Sequence, residues 1–66
     1  IDLFFEEDGE IVLLDYKTDW VHNEEELVKR YQIQLDYYQE ALEKSLGKRV
    51  KERLIYSFAL GREIRA

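Results

Sequence analysis

Sixty-six residues with fifteen acids, ten bases and a net charge of −5 fall short of one ordinary domain, and so short a chain buries only about 60% of its unfolded surface. There is no cysteine, which excludes disulfides, thiolate metal sites and iron–sulfur ligation within this segment. No apolar run approaches the roughly 18 residues of a membrane span, and no basic-flanked apolar leader is visible.

The chain opens without Met on Ile1-Asp2-Leu3-Phe4-Phe5, already strand-like, and reads as a piece of a longer protein. Two apolar runs, IDLFFE and EIVLLDYK, flank Asp8-Gly9, and Asp-Gly in that setting is a strong hairpin signal. The pattern predicts strands over 1–7 and 10–17. A polar connection, TDWVH, follows, with Trp20 expected to pack the strand-to-helix corner and His22 read as a loop residue. Asn23 is a good N-cap, Glu26 completes an Asn variant of the capping box, and Glu24 to Glu26 suit the positive end of a helix. Leu27, Val28, Tyr31, Leu35, Tyr38, Leu42 and Leu46 recur at three- and four-residue steps, which predicts a core-facing helix over 24–46. Gly47 is placed to end it. An apolar run then predicts a strand over 53–60, buried on both faces, and REIRA can start another after Gly61. Hairpin, crossover helix and strand amount to an α+β fold: a small mixed sheet with one helix packed on it.

Charge is unevenly spread. Residues 1–26 hold ten acids and one base, whereas 27–66 hold five acids and nine bases. Such asymmetry can mark nucleic-acid contact on the basic half; a solvated helix face with polar loops is the plainer account.

The hairpin carries a finer expectation. A two-residue Asp8-Gly9 loop pairs positions whose numbers sum to 17, so Asp2 lies across from Asp15. Alternation puts both on one face with Phe4, Leu13 and Lys17. Two carboxylates with Cβ atoms about 5 Å apart repel each other. A shared proton, a cationic side chain or a bound metal would relieve them. Two carboxylates plus a main-chain carbonyl form a hard oxygen set of the kind Mg²⁺ or Mn²⁺ takes. Against this stands the plain reading of a frayed Asp2 and an exposed Asp15–Lys17 pair worth little. Gln34 raises a similar choice. It lies beside Tyr31 and Tyr38 on the inner stripe, either as a satisfied core amide or, with Tyr38, aimed at the same carboxylates.

Asp2, a hairpin into Asp15-Tyr16-Lys17, then Gln34-Leu35-Asp36-Tyr37-Tyr38 on a helix together resemble the PD-(D/E)XK nuclease superfamily. Within it, the D-Y-K and Q-x-x-x-Y motifs in this order are similar to the RecB-like branch found in bacterial ATP-dependent helicase/nucleases. The resemblance covers nearly the whole chain and implies a core of the restriction-endonuclease-like α/β type. It implies Asp2, Asp15 and the Tyr16 carbonyl as ligands of Mg²⁺ or Mn²⁺, and Lys17 as the residue that positions or activates the attacking water. Gln34 and Tyr38 are implied as site support or DNA contacts. The implied activity is metal-dependent hydrolysis of DNA, of the exonuclease type, in double-strand-break repair and recombination. It would work beside a second helicase/nuclease subunit in the bacterial cytoplasm, with ATP used only by a helicase part outside this segment. The cysteine count points to the cluster-free type. Relatives usually carry an upstream helix with a Glu or His near the metal, and a further strand before Asp2; neither is in this sequence, so the segment on its own reads as an incomplete, inactive site. A catalytically silent nuclease-fold module for DNA or subunit binding is the main alternative, and an ordinary scaffold with a fortuitous D-Y-K is a third.

Overall fold

A computed structural model describes residues 2–66. Its elements are β1 (Leu3–Glu7), β2 (Glu10–Lys17), α1 (Glu24–Leu46), β3 (Val50–Ser57) and β4 (Arg62–Arg65), in a four-stranded sheet of order β1-β2-β3-β4. The sheet is mixed: β1 and β4 pair antiparallel with their neighbours, and β2 pairs parallel with β3. A small mixed sheet with one helix is the architecture expected from the sequence.

Asp8 and Gly9 both take positive φ, 56° and 79°, the backbone a type I′ hairpin turn requires. The tight turn fixes the register as Glu7↔Glu10 through Leu3↔Leu14. Asp2 lies just beyond this ladder, and Ile1 lies outside the described residues.

Around α1, Asn23 Oδ1 accepts from the Glu26 amide at 2.9 Å, and Glu26 Oε2 accepts in turn from the His22 amide at 2.9 Å. Gly47 closes the helix at φ 65°, a left-handed conformation that an L side chain resists, and its amide bonds to the Glu43 carbonyl at 2.9 Å. Leu27 and Leu35 are buried against Val21, Ile55 and Ile64, while Tyr38 and Leu42 pack on a second cluster of Ile11, Leu13 and Val50. Ile33 and Tyr37 point away from the sheet, 83% and 70% exposed.

Three local expectations are corrected. β3 starts at Val50 and ends at Ser57 rather than covering 53–60. Its charged beginning is held by partners remote in sequence: Lys51 by Glu7 at 2.8 Å, Glu52 by Arg65 at 2.6 Å, and Arg53 by Asp36. At its end, Ser57 Oγ accepts from the Leu60 amide at 3.0 Å and turns the chain. Nor is β3 buried on both faces. Ile55 and Ser57 are covered, but Phe58 just past the strand is 57% exposed and meets Tyr56 edge-on at 5.2 Å, beside Tyr16. This aromatic side belongs to the sheet face opposite α1, where Leu3 and Phe5 also stay open. Finally, Trp20 does not fill the corner; it is 88% exposed, and its neighbour Val21 packs inward instead.

β3 also carries one extra residue relative to β2. The register passes from Ile11↔Val50 to Val12↔Glu52, leaving Lys51 as a bulge.

Candidate metal and catalytic centre at the end of β2

β2 alternates its side chains across the sheet, so the face that buries Ile11 and Leu13 under the helix also receives Asp15 and Lys17. Asp15 is 4% exposed and lies beside Ile55 of β3. Burial therefore dominates its chemistry. It pushes the Asp15 carboxyl above the usual carboxylate range, and a hydrogen bond with Asp2 pushes it further, against the pull of Lys17.

Asp2 completes the pair from the other strand. Its carboxyl shares a hydrogen bond with Asp15 and accepts from the Tyr16 amide at 2.8 Å. These two bonds hold Asp2 below the ordinary range. The two shifts run in opposite directions: burial makes Asp15 the stronger holder of a proton, and Asp2 is the readier of the pair to ionise. Lys17 Nζ lies 3.0 Å from Asp15 Oδ2 and is itself largely covered, 17% exposed. The sequence-derived pairing of Asp2, Asp15 and Lys17 is therefore one cluster, and the strand-end pair is buried rather than solvated.

Gln34 and Tyr38 are placed differently. Gln34 is exposed rather than a core amide, and it donates to the Tyr38 hydroxyl at 3.3 Å. Among the described residues no hydrogen bond joins either one to Asp2, Asp15 or Lys17. Tyr38 packs over Ile11 and Leu13, earlier along β2 than Asp15.

Tyr31 is the helical residue that reaches the cluster. Lys17 Nζ lies 4.1 Å from the centroid of its ring. The Tyr31 hydroxyl donates to Asp19 Oδ2 at 2.6 Å, and Arg30 holds the same oxygen at 2.9 Å. The Tyr31 bond, then Arg30, keeps Asp19 ionised below the usual range, and the same bond raises the Tyr31 hydroxyl above its own. Sequence reasoning treated Tyr31 as packing and passed over Asp19. The available signal was the spacing of Tyr31, Gln34 and Tyr38, which share one stripe at three- and seven-residue steps.

The charge asymmetry also finds its explanation. Acids of the hairpin meet bases of the second half: Glu6 with Lys48 at 2.7 Å, Glu7 with Lys51 at 2.8 Å, Glu10 with Arg49 at 3.1 Å, and Glu24 with Arg62 at 2.8 Å. These bases are engaged within the chain. No helix is long and apolar enough to cross a membrane among the described residues.

No protein-family model matches this chain. It is 60% identical over 67 residues to AddA, the ATP-dependent helicase/nuclease subunit, of Lachnoclostridium phytofermentans, in an alignment covering 98% of this chain and 5% of that protein. AddA of Clostridium botulinum strain Alaska E43 is 58% identical over 64 residues, covering 97% of this chain and 5% of the relative. In strain Hall the identity is 49% over 65 residues, covering 98% and 5%. The chain thus spans about 5% of the length of the curated relatives it matches. Homologues at 49–60% identity, aligned along the whole chain, are AddA subunits of ATP-dependent helicase/nucleases.

Proposed function

We propose that this chain is the metal-site segment of a PD-(D/E)XK nuclease domain of the RecB-like branch, hydrolysing DNA phosphodiesters within a helicase/nuclease subunit. The observation that carries the reading is the cluster at the end of β2: a buried Asp15, the Asp2 carboxyl beside it, and the Lys17 ammonium 3.0 Å away. The names of the relatives agree with it.

The donor set fits a hard divalent cation. Two carboxyls that compete for one proton would both be ionised beside Mg²⁺ or Mn²⁺, and hard oxygen donors suit either ion. Asp2, Asp15 and the Tyr16 carbonyl would hold the ion. When bound, it supplies positive charge for the phosphoryl group and lowers the pKa of water. Lys17, fixed beside Asp15, donates a hydrogen bond toward the attacking water or the phosphoryl oxygen, where its charge meets the charge that develops. The Gln34–Tyr38 pair, with Gln34 open to solvent, offers polar groups to the DNA backbone. In the longer protein this activity would serve break repair and recombination beside a second, AddB-like subunit, with ATP consumed by the helicase part.

The test is Mn²⁺-dependent release of nucleotides from linear duplex DNA by a full-length subunit carrying this segment. Lys17→Ala should lower cleavage about a hundredfold or more and spare Mn²⁺ binding; Asp15→Ala should lose both. Cleavage retained in Lys17→Ala refutes the assignment.

A further inference from the structure

We infer that Tyr31 is a positioning residue for Lys17, held in place by Asp19 and Arg30; the inference rests on the nuclease reading above. The geometry is a chain of contacts that ends on the ammonium. Arg30 and the Tyr31 hydroxyl converge on Asp19 Oδ2 at 2.9 and 2.6 Å. This fixes the ring from its far edge. Lys17 Nζ lies 4.1 Å from the ring centroid on one side and 3.0 Å from Asp15 on the other. A lysine side chain carries four rotatable bonds and the rotamer freedom that goes with them. Asp15 alone defines one distance, and the ammonium can still swing about it. The aromatic face removes that freedom, because the ring quadrupole attracts the cation only above the ring.

The three supporting residues come from different parts of the chain. Asp19 follows β2 in the connection, whereas Arg30 and Tyr31 sit on the second turn of α1. The ring therefore moves with the helix, and the docking of α1 sets where the Lys17 charge points. Neither Arg30 nor Asp19 touches Lys17 directly, so both act through Tyr31. Glu26 braces Arg30 at 3.3 Å, which ties the arrangement to the N-terminal cap.

The experiment compares kcat, the KM for duplex DNA and the Mn²⁺ affinity of a full-length subunit carrying this segment, in wild type, Lys17→Ala, Tyr31→Leu and Tyr31→Phe. Cation–π attraction at a covered site is worth about 0.5–2 kcal/mol, or roughly 2- to 30-fold in rate. Tyr31→Leu should lower kcat about tenfold with KM and Mn²⁺ affinity unchanged. Tyr31→Phe keeps the aromatic face but loses the bond to Asp19 that anchors it, and should lower kcat by about threefold, less than Tyr31→Leu. If Tyr31→Leu matches wild type while Lys17→Ala is inactive, the role of Tyr31 falls and the nuclease reading stands. If Tyr31→Leu degrades kcat, KM and Mn²⁺ affinity together and Tyr31→Phe does the same, the residue is merely structural and the inference is overturned. If Lys17→Ala cleaves like wild type, the nuclease reading itself fails and takes the role of Tyr31 with it.

Discussion

Replacing Lys17 with methionine keeps the apolar stem and removes the ammonium 3.0 Å from a carboxyl that is 4% exposed. At an effective dielectric of about 20, two charges at that distance attract by roughly 5–6 kcal/mol before desolvation is counted. Protonation sets a lower ceiling. Asp15 can escape by taking a proton, at a cost of about 1.4 kcal/mol for each pH unit above its ordinary value of 3.8. That ceiling is about 4 kcal/mol at pH 7, about 1.6 at pH 5, and near zero at pH 4. The sign follows from the direction of the shift. A raised carboxyl binds its proton more tightly in the folded state, so its burial is free below 3.8 and costs more as pH rises through the folded value. Lys17→Met should therefore lose about 2–4 kcal/mol at pH 7 and little at pH 4, a substantial share of the roughly 3–10 kcal/mol available to 66 residues. Urea unfolding followed by helical circular dichroism measures this through the 23-residue α1; Trp20, 88% exposed, is a poor fluorescence reporter. A variant already unfolded at pH 7 should regain helix on acidification to pH 5. An equal loss at both pH values would mean that Lys17 acts through packing of its stem, and the electrostatic account of the cluster would be wrong.

Two further outcomes follow from local geometry. Asn23→Ala removes the acceptor for the Glu26 amide and should destabilise the fold by about 1 kcal/mol in the same urea assay, whereas Asn23→Ser should stay within a few tenths of wild type. Asp2→Ala frees the Tyr16 amide, which should then exchange with solvent several-fold faster by NMR while amides at Val12 and Leu14 keep their protection.

What could be read from the sequence was local. Asp8-Gly9 dictates its own turn, and the turn dictates which residues face each other, so the meeting of Asp2 with Asp15 needed no tertiary information. Asn23 and Gly47 likewise mark the bounds of α1 by backbone chemistry within a few residues. The start of β3 was hidden because Lys51 and Glu52 look like loop residues until Glu7 and Arg65 are brought beside them. Periodicity placed Gln34 and Tyr38 on a common stripe with Tyr31. How α1 lies along β2 then decided that Tyr31 meets Lys17 while Tyr38 lies over Leu13. Trp20 was expected inside where Val21 lies, because a polar connection shows no periodicity to say which of two neighbours turns inward.

The Asp8-Gly9 turn has a consequence for how this segment tolerates changes in length. Five paired positions separate it from the Asp2–Asp15 contact, about 20 Å of strand. A single residue inserted there would slide β1 by one step and turn Asp2 to the other side of the sheet. Loops of this size usually absorb insertions freely, yet this one sets the spacing of two carboxyls at the opposite end of the hairpin. Homologues can vary the identity of the turn residues within what positive φ permits, but a change in their number removes Asp2 from the site without altering any residue in it.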